Sequence, residues 1–210
     1  MDLKYLTDLP FYWPQMQRHG RPRCQYTIRE LSCGAQFLAY SNERSKTYST
    51  LGVERFLHHL QQHGVDTHQV IITTDLGTEF DGYTTHYRPE SFHLTIQESF
   101  GAEHRFNPPA CPNANADVER VHNTIETQLF EAQVCHCRGD CFAKAATYQL
   151  WYNAARKNSS RADKSPAGLL ARKASHLSPN LFLLHPTPLE LLLLPQGGAR
   201  CTGTGRRTQR

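Results

Sequence analysis

Hydrophobic and polar positions change period several times along the chain, and the changes mark its elements. Val70-Ile71-Ile72-Thr73-Thr74 is a β-branched run that stops at Asp75 and Gly77. It predicts a strand over 70–75, buried on both faces, with a carboxylate at its tip. Residues 25–31 and 35–40 alternate about Ser32-Cys33-Gly34 and predict a hairpin. Val53, Phe56, Leu57 and Leu60 fall at helical spacing, with Ser49 or Thr50 as N-cap and Gly64 past the end. Strand, helix and strand in that order predict a crossover, with the 70–75 strand parallel to an earlier one.

The remaining segments divide by the same reasoning. Asp2 to Leu6 reads as the second half of a strand whose first half is missing. Residues 8–23, with Pro10, Pro14 and three aromatics between them, read as a loop packed on the domain. Residues 81–100 are an excursion, with turn residues Asp81, Gly82 and Pro89 and a short helix from about Ser91 to Phe100. A short strand is predicted over 102–106, and the prolines of 107–112 preclude regular structure there. From Ala114, the residues Val118, Val121, Ile125 and Leu129 make one apolar helical stripe. Another helix is predicted from about Asp140 to Arg156, then a basic loop, then a short helix over 166–173. The expected organisation is a core at 1–175, begun partway into its first strand, an apolar extension at 176–195 and a disordered tail at 196–210.

Composition changes this picture little. The 210 residues carry a formal charge of +4. Arg200, Arg206, Arg207 and Arg210 supply all of it, which leaves residues 1–195 neutral, so any basic surface is local. Seven cysteines are too few and too scattered for a disulfide scaffold. With no signal-peptide pattern at the start, a reducing cytoplasm is expected. The leucine-rich run from Leu181 to Leu194 is broken by His185, Pro186, Pro188 and Glu190. A bilayer span needs about 20 apolar residues, so no membrane association is expected.

Candidate chemistry rests on three acids. Alone, Asp75 before Leu76-Gly77 is ordinary turn chemistry, and Glu119 near a helix start is a partner for the macrodipole. Their order matters more: Asp2 on the opening strand, Asp75 at a later strand's tip, and Glu119 on a helix entered through prolines. With the motifs around them, this order resembles the DDE transposase and retroviral-integrase superfamily, and insertion-sequence transposases with an integrase core above all. Asp2-Leu3-Lys4-Tyr5 is similar to the strand of the first aspartate. Thr74-Asp75-Leu76-Gly77-Thr78-Glu79-Phe80 resembles the Asp-Asn-Gly-Ser/Thr-Glu-Phe segment, with Leu76 in place of the asparagine. Pro112-Asn113-Ala114-Asn115-Ala116-Asp117-Val118-Glu119-Arg120-Val121-His122 is similar to Pro-x-x-Asn-x-x-Val-Glu-Arg-x-His. Tyr152-Asn153 through Lys164-Ser165-Pro166 resembles the Tyr-Asn…Arg…Thr-Pro stretch that follows.

The resemblance covers about Asp2 to Leu170. It implies an α/β ribonuclease-H-like fold, a mixed five-stranded sheet flanked by helices. It implies DNA integration or transposition, catalysed by a metal-dependent polynucleotidyl transferase with Asp2, Asp75 and Glu119 as catalytic and metal-binding residues. Two divalent ions, Mg²⁺ or Mn²⁺, would stabilise the attacking and leaving oxygens. The partners implied are DNA (mobile-element ends and target) and further copies of the chain, with no small-molecule substrate, and the location is cytoplasmic, at the nucleoid. A hydrolytic nuclease on the same fold stays open, as does an inactive fragment that binds only DNA or partner subunits.

Other residues were weighed beside these. Asp8 is the alternative first carboxylate, in a loop-like context. Glu79 reads as a supporting or surface acid. Cys135-His136-Cys137-Arg138-Gly139-Asp140-Cys141 lacks zinc-knuckle spacing and reads as an inter-helix loop. Arg120, Lys144, Arg156, Lys157, Arg161 and Lys164 are equally phosphate-neutralising residues or a solvated face. Trp151 and Tyr152 read as core, and the 12 histidines as mostly surface.

Overall fold

The computed structural model describes residues 1–81, 91–108 and 112–193. Gly82, Pro89, Pro109, Cys111 and the tail from Gln196 lie outside the described residues.

Strand β1 (Asp2–Tyr5) pairs antiparallel with β2 (Cys24–Arg29), Asp2 opposite Thr27. The predicted hairpin is present: β2 pairs antiparallel with β3 (Gln36–Ser41). Between β1 and β2 the chain is helical rather than loop, forming α1 (Tyr12–His19). Pro14 sits in its first turn, where a missing N–H costs nothing, and Gly20 ends it at φ 58°. Helix α2 (Lys46–Gln62) starts earlier than Ser49, because Ser45 Oγ accepts the Tyr48 N–H at 3.2 Å.

Strand β4 (Ile71–Thr74) follows α2. Its parallel partner is a later strand, β5 (Glu103–Phe106), which corrects the expected crossover to an earlier strand. Ile71 is 48% exposed, so β4 is not buried on both faces. Ahead of β5 lies α3 (Ser91–Leu94), extended by a wider turn over Thr95–Ser99. Then come α4 (Pro112–Ile125), α5 (Arg138–Ala154) and α6 (Pro166–Lys173), the last capped by Ser165 Oγ. A two-residue strand β6 (Thr187–Pro188) pairs parallel with β3.

The fold is α/β with helices on both faces, but the strands form two sheets rather than one of five. One has the order β1-β2-β3-β6 and the other is β4-β5. The Met1 amine donates to the Thr73 carbonyl at 2.6 Å, a link between the start of β1 and the end of β4. β1 begins at Asp2 and β4 ends at Thr74, too short an overlap for a ladder.

Alternation along the strands distributes the core. Met1, Tyr26, Ile28 and Phe37 pack with Val53, Phe56 and Leu57 of α2, together with Leu181, Phe182 and Leu189. Leu38 and Tyr40 face the other way, onto Tyr12, Val121, Ile125, Leu129 and Tyr148. The α4 stripe is buried as its spacing predicts. Tyr152 is core, whereas Trp151 is 44% exposed, because it lies one position round the helix from the buried face. Gln149 and Asn153 are buried on α5 and bond the edge of β3. Asn153 exchanges two hydrogen bonds with the Gln36 backbone, and Gln149 accepts the Leu38 N–H. Among the described residues no helix is long and apolar enough to cross a membrane.

Candidate active site

Asp2 stands on the face of β1 that looks toward α4. Its Oδ1 accepts the Leu3 N–H at 2.8 Å, and its Oδ2 lies 3.7 Å from His122 Nδ1. Burial pushes the Asp2 carboxyl up to about 6; the Leu3 N–H and the Met1 amine oppose the rise, and the charges of Asp75 and Glu119 add to it. The structure therefore brings the three acids into one electrostatic neighbourhood. The Met1 amine is lowered to about 6 by burial, against the pull of Asp2 and Asp75.

Asp75 follows the end of β4, as its sequence predicts. The strand end is anchored by Thr74, whose hydroxyl meets His104 Nε2 at 2.9 Å. Asp75 Oδ1 accepts the Gly77 N–H at 3.0 Å, the expected turn contact, which leaves Oδ2 free of that turn. Glu119 is exposed on α4. His122, one turn on, is buried and reaches Thr27 Oγ1 at 3.1 Å, while Gln25 donates to that oxygen at 3.0 Å. With Thr27 receiving from Gln25, its own proton points at His122 Nε2. That tautomer carries the imidazole proton on Nδ1, toward Asp2. Burial holds His122 down at about 4, with Lys4 and the Met1 amine adding to the effect, so it is neutral near pH 7.

Two histidines here were misjudged in the sequence. His104 and His122 are buried rather than surface residues, because each fills a polar gap beside a threonine. Glu79 is buried, and its Oε2 has no hydrogen-bond partner among the described residues; Arg44 stands 3.7 Å away. A Cβ on Gly77 would lie 2.7 Å from Glu79 Oε2 and 3.0 Å from Asp75 Oδ1. The two carboxylates thus flank one glycine, and the Gly77 spacing between them was the available signal.

The basic residues are not gathered at the acids. Lys144 pairs with Asp140 at 2.9 Å and donates to the Val134 carbonyl. Arg156 lies over the Tyr152 ring, and Arg161 binds the carbonyls of Leu31 and Ser32. Arg120, Lys157 and Lys164 are exposed. Asp8 is exposed and lies outside the acid group.

Three carboxylates with hard oxygen donors suit a divalent ion, which would relieve the smaller, repulsive part of the rise at Asp2, burial being the larger part. The donor chemistry fits. Among the described residues no group of three His, Cys, Asp or Glu side chains forms a ready-made metal cluster. The same holds of Cys135, Cys137 and Cys141, where the thiols are free.

No protein-family model matches the chain, and no curated protein matches it in sequence. Among solved structures it is similar to a chain of the simian T-cell lymphotropic virus intasome in complex with PP2A regulatory subunit B56 gamma. Identity there is 14%, with a TM-score of 0.50, over 70% of this chain and 47% of that one. The chain therefore spans about half the length of that relative. It is also similar to the catalytic core domain of BIV integrase, at 15% identity and a TM-score of 0.49, over 73% of this chain and 90% of that one. At such identity the likeness is one of fold alone: the α/β architecture is similar to that of the intasome chain.

Proposed function

We propose that the chain is a metal-dependent polynucleotidyl transferase of the DNA-integration type, with Asp2, Asp75 and Glu119 as its metal-binding residues. The observation that carries this reading is the raised Asp2 carboxyl, lifted in part by Asp75 and Glu119. Asp75 and Glu119, 43 residues apart along the chain, each add to the rise at Asp2, which supports the grouping. Such a group costs stability, and is worth keeping where a cation neutralises it.

Bound divalent ions would supply the stabilisation of attacking and leaving oxygens in an in-line displacement at phosphorus. The chain's own residues position the ligands. The Leu3 N–H orients Asp2, the Gly77 N–H orients Asp75, and the helical frame of α4 sets Glu119 one turn from His122. Neutral His122, fixed by Thr27, adds no positive charge to compete with a metal. The nucleophile is first water and then a DNA 3′-hydroxyl, with no covalent enzyme intermediate. Lys157, Lys164 and Arg120 are the exposed cations left to meet phosphates. More than one copy of the chain would act together on the mobile element's ends and a target DNA.

The test incubates purified chain with supercoiled plasmid and a short duplex end, with Mg²⁺ or Mn²⁺ and with chelator. Metal-dependent nicking and covalent joining of the duplex support the reading. Nicking without joining reassigns the chain to the hydrolytic nucleases. A second reading is a DNA- or subunit-binding fragment without catalysis, favoured because no three-ligand metal cluster forms among the described residues, and that reading stands if no metal-dependent product forms while DNA is still retained.

A further inference from the structure

A DNA strand that brings a phosphate to Asp75 enters a field of like charge, because the buried acids Glu79 and Asp81 follow on the same turn. It approaches closely only where cations offset that field. Lys46 is engaged with Asp81 at 3.0 Å. Arg44 is placed differently. Its Nη1 stands 3.7 Å from Glu79 Oε2, beyond hydrogen-bond reach, and its guanidinium carbon lies 5.8 Å from the centre of the Tyr5 ring. Among the described residues none of its N–H groups has a hydrogen-bond acceptor, and the side chain is nearly half exposed.

The backbone that carries Arg44 is nonetheless held on both sides. Ser41 Oγ donates to the Glu43 carbonyl at 2.5 Å, and the Ser45 N–H donates to the Tyr26 hydroxyl at 3.4 Å. Ser45 Oγ in turn caps α2. Glu79 is fixed as well, since Ser49 of α2 donates to its carbonyl. Glu79 Oε2 and Asp75 Oδ1 lie 2.7 and 3.0 Å from one point, where a Cβ on Gly77 would stand. Arg44 therefore touches a carboxylate that itself adjoins Asp75. A half-exposed pair without a hydrogen bond adds little stability, so offsetting Glu79 does not account for the arrangement. An arginine aimed by a ring and a carboxylate, with its donors unused, is preset for a phosphate: its planar fork matches two phosphate oxygens.

We propose that Arg44, set by Tyr5 and Glu79, is a phosphate subsite for the DNA strand, taking the phosphate next to the one that lies at Asp75. This inference rests on the reading of the chain as one that acts on DNA. The contact is to backbone phosphate, so it positions the strand and does not read its sequence.

The test reads binding of two fluorescein-labelled duplexes of unrelated sequence by anisotropy, in chelator, over about 50–200 mM KCl. Arg44→Ala should weaken both duplexes alike, ~10-fold near 0.1 M salt, and lower the salt slope by ~1, with Tm nearly unchanged. Arg44→Lys should keep the slope and lose only part of the affinity, because it keeps the charge without the fork. In a Glu79→Gln background Arg44→Ala should cost the same as in the parent. Unchanged affinity and slope in Arg44→Ala would overturn the inference and leave the DNA reading standing. So would a loss that vanishes in the Glu79→Gln background, since Arg44 then serves only to offset Glu79. A parent chain that binds neither duplex removes the DNA reading and this inference with it.

Discussion

The Met1 amine donates to the Thr73 carbonyl at 2.6 Å, and through that one bond Asp2 and Asp75 become neighbours. Each residue lies within two positions of an acid, so strand geometry carries the carboxylates to one end of the molecule. The cost appears at Asp2, whose carboxyl is raised to about 6.

That rise sets a pH dependence. A carboxyl whose folded pKa exceeds its unfolded value of about 3.9 binds protons more tightly in the native state, so its contribution to stability falls as pH climbs from about 4 to 6. Asp2→Asn should therefore be more stable than the parent at pH 7, by about 3 kcal/mol at most, and nearly equal to it at pH 4. Urea titrations across pH 4–7 check this; a difference that does not grow with pH refutes the raised Asp2 carboxyl.

His122 and His104 work in the opposite direction. Both are held down to about 4, below the usual histidine value of about 6.5, chiefly by burial, so the stability they lend is present above pH 6.5 and is lost as pH falls toward 4. His122→Gln keeps a polar group beside Thr27 without titrating, and should lessen acid destabilisation. Unfolding midpoints between pH 4 and 7 that track the parent's would contradict this.

Asn153 closes the exposed edge of β3 by pairing with both backbone groups of Gln36. Asn153→Ala leaves a buried N–H and C=O without partners, which costs roughly 2–3 kcal/mol. Denaturant unfolding measures it. A loss below about 1 kcal/mol would mean that water replaces the amide.

Gly77 stands between Asp75 and Glu79. Its φ of −61° suits any residue, so Gly77→Ala is not a backbone-strain test. The added methyl would push at least one carboxylate aside. Metal-dependent nicking should fall at least ~10-fold, as it does when ligands lose ~1 Å of placement, with Tm nearly unchanged. Full activity would remove the turn from the site.

How far the sequence carried these conclusions depends on the range of the interactions. The α4 stripe of Val118, Val121, Ile125 and Leu129 is local periodicity, and it is buried as read. The hairpin around Ser32-Cys33-Gly34 is equally local. The α1 helix was hidden because Pro10 and Pro14 look like breakers, and only a helix's first turn tolerates Pro14. The pairing of β4 with β5 was illegible, since nothing in Val70-Ile71-Ile72-Thr73-Thr74 names its neighbour. At the site, the order of Asp2, Asp75 and Glu119 was legible through motif resemblance. The burial of Glu79 and the Thr27–His122 contact were not, because they join residues from separate elements. Gln149 and Asn153 did leave a trace: two amides four apart, each next to a buried tyrosine.

The central claim is that Asp2, Asp75 and Glu119 form one metal-dependent site for phosphodiester chemistry. The most direct measurement is plasmid nicking by Asp75→Asn in Mn²⁺, beside circular dichroism of the same preparation. The account predicts an unchanged spectrum with cleavage reduced at least ~1,000-fold, in the range expected when the main electrostatic stabilisation of a transition state is removed. A folded Asp75→Asn protein that nicks DNA as fast as the parent would contradict it.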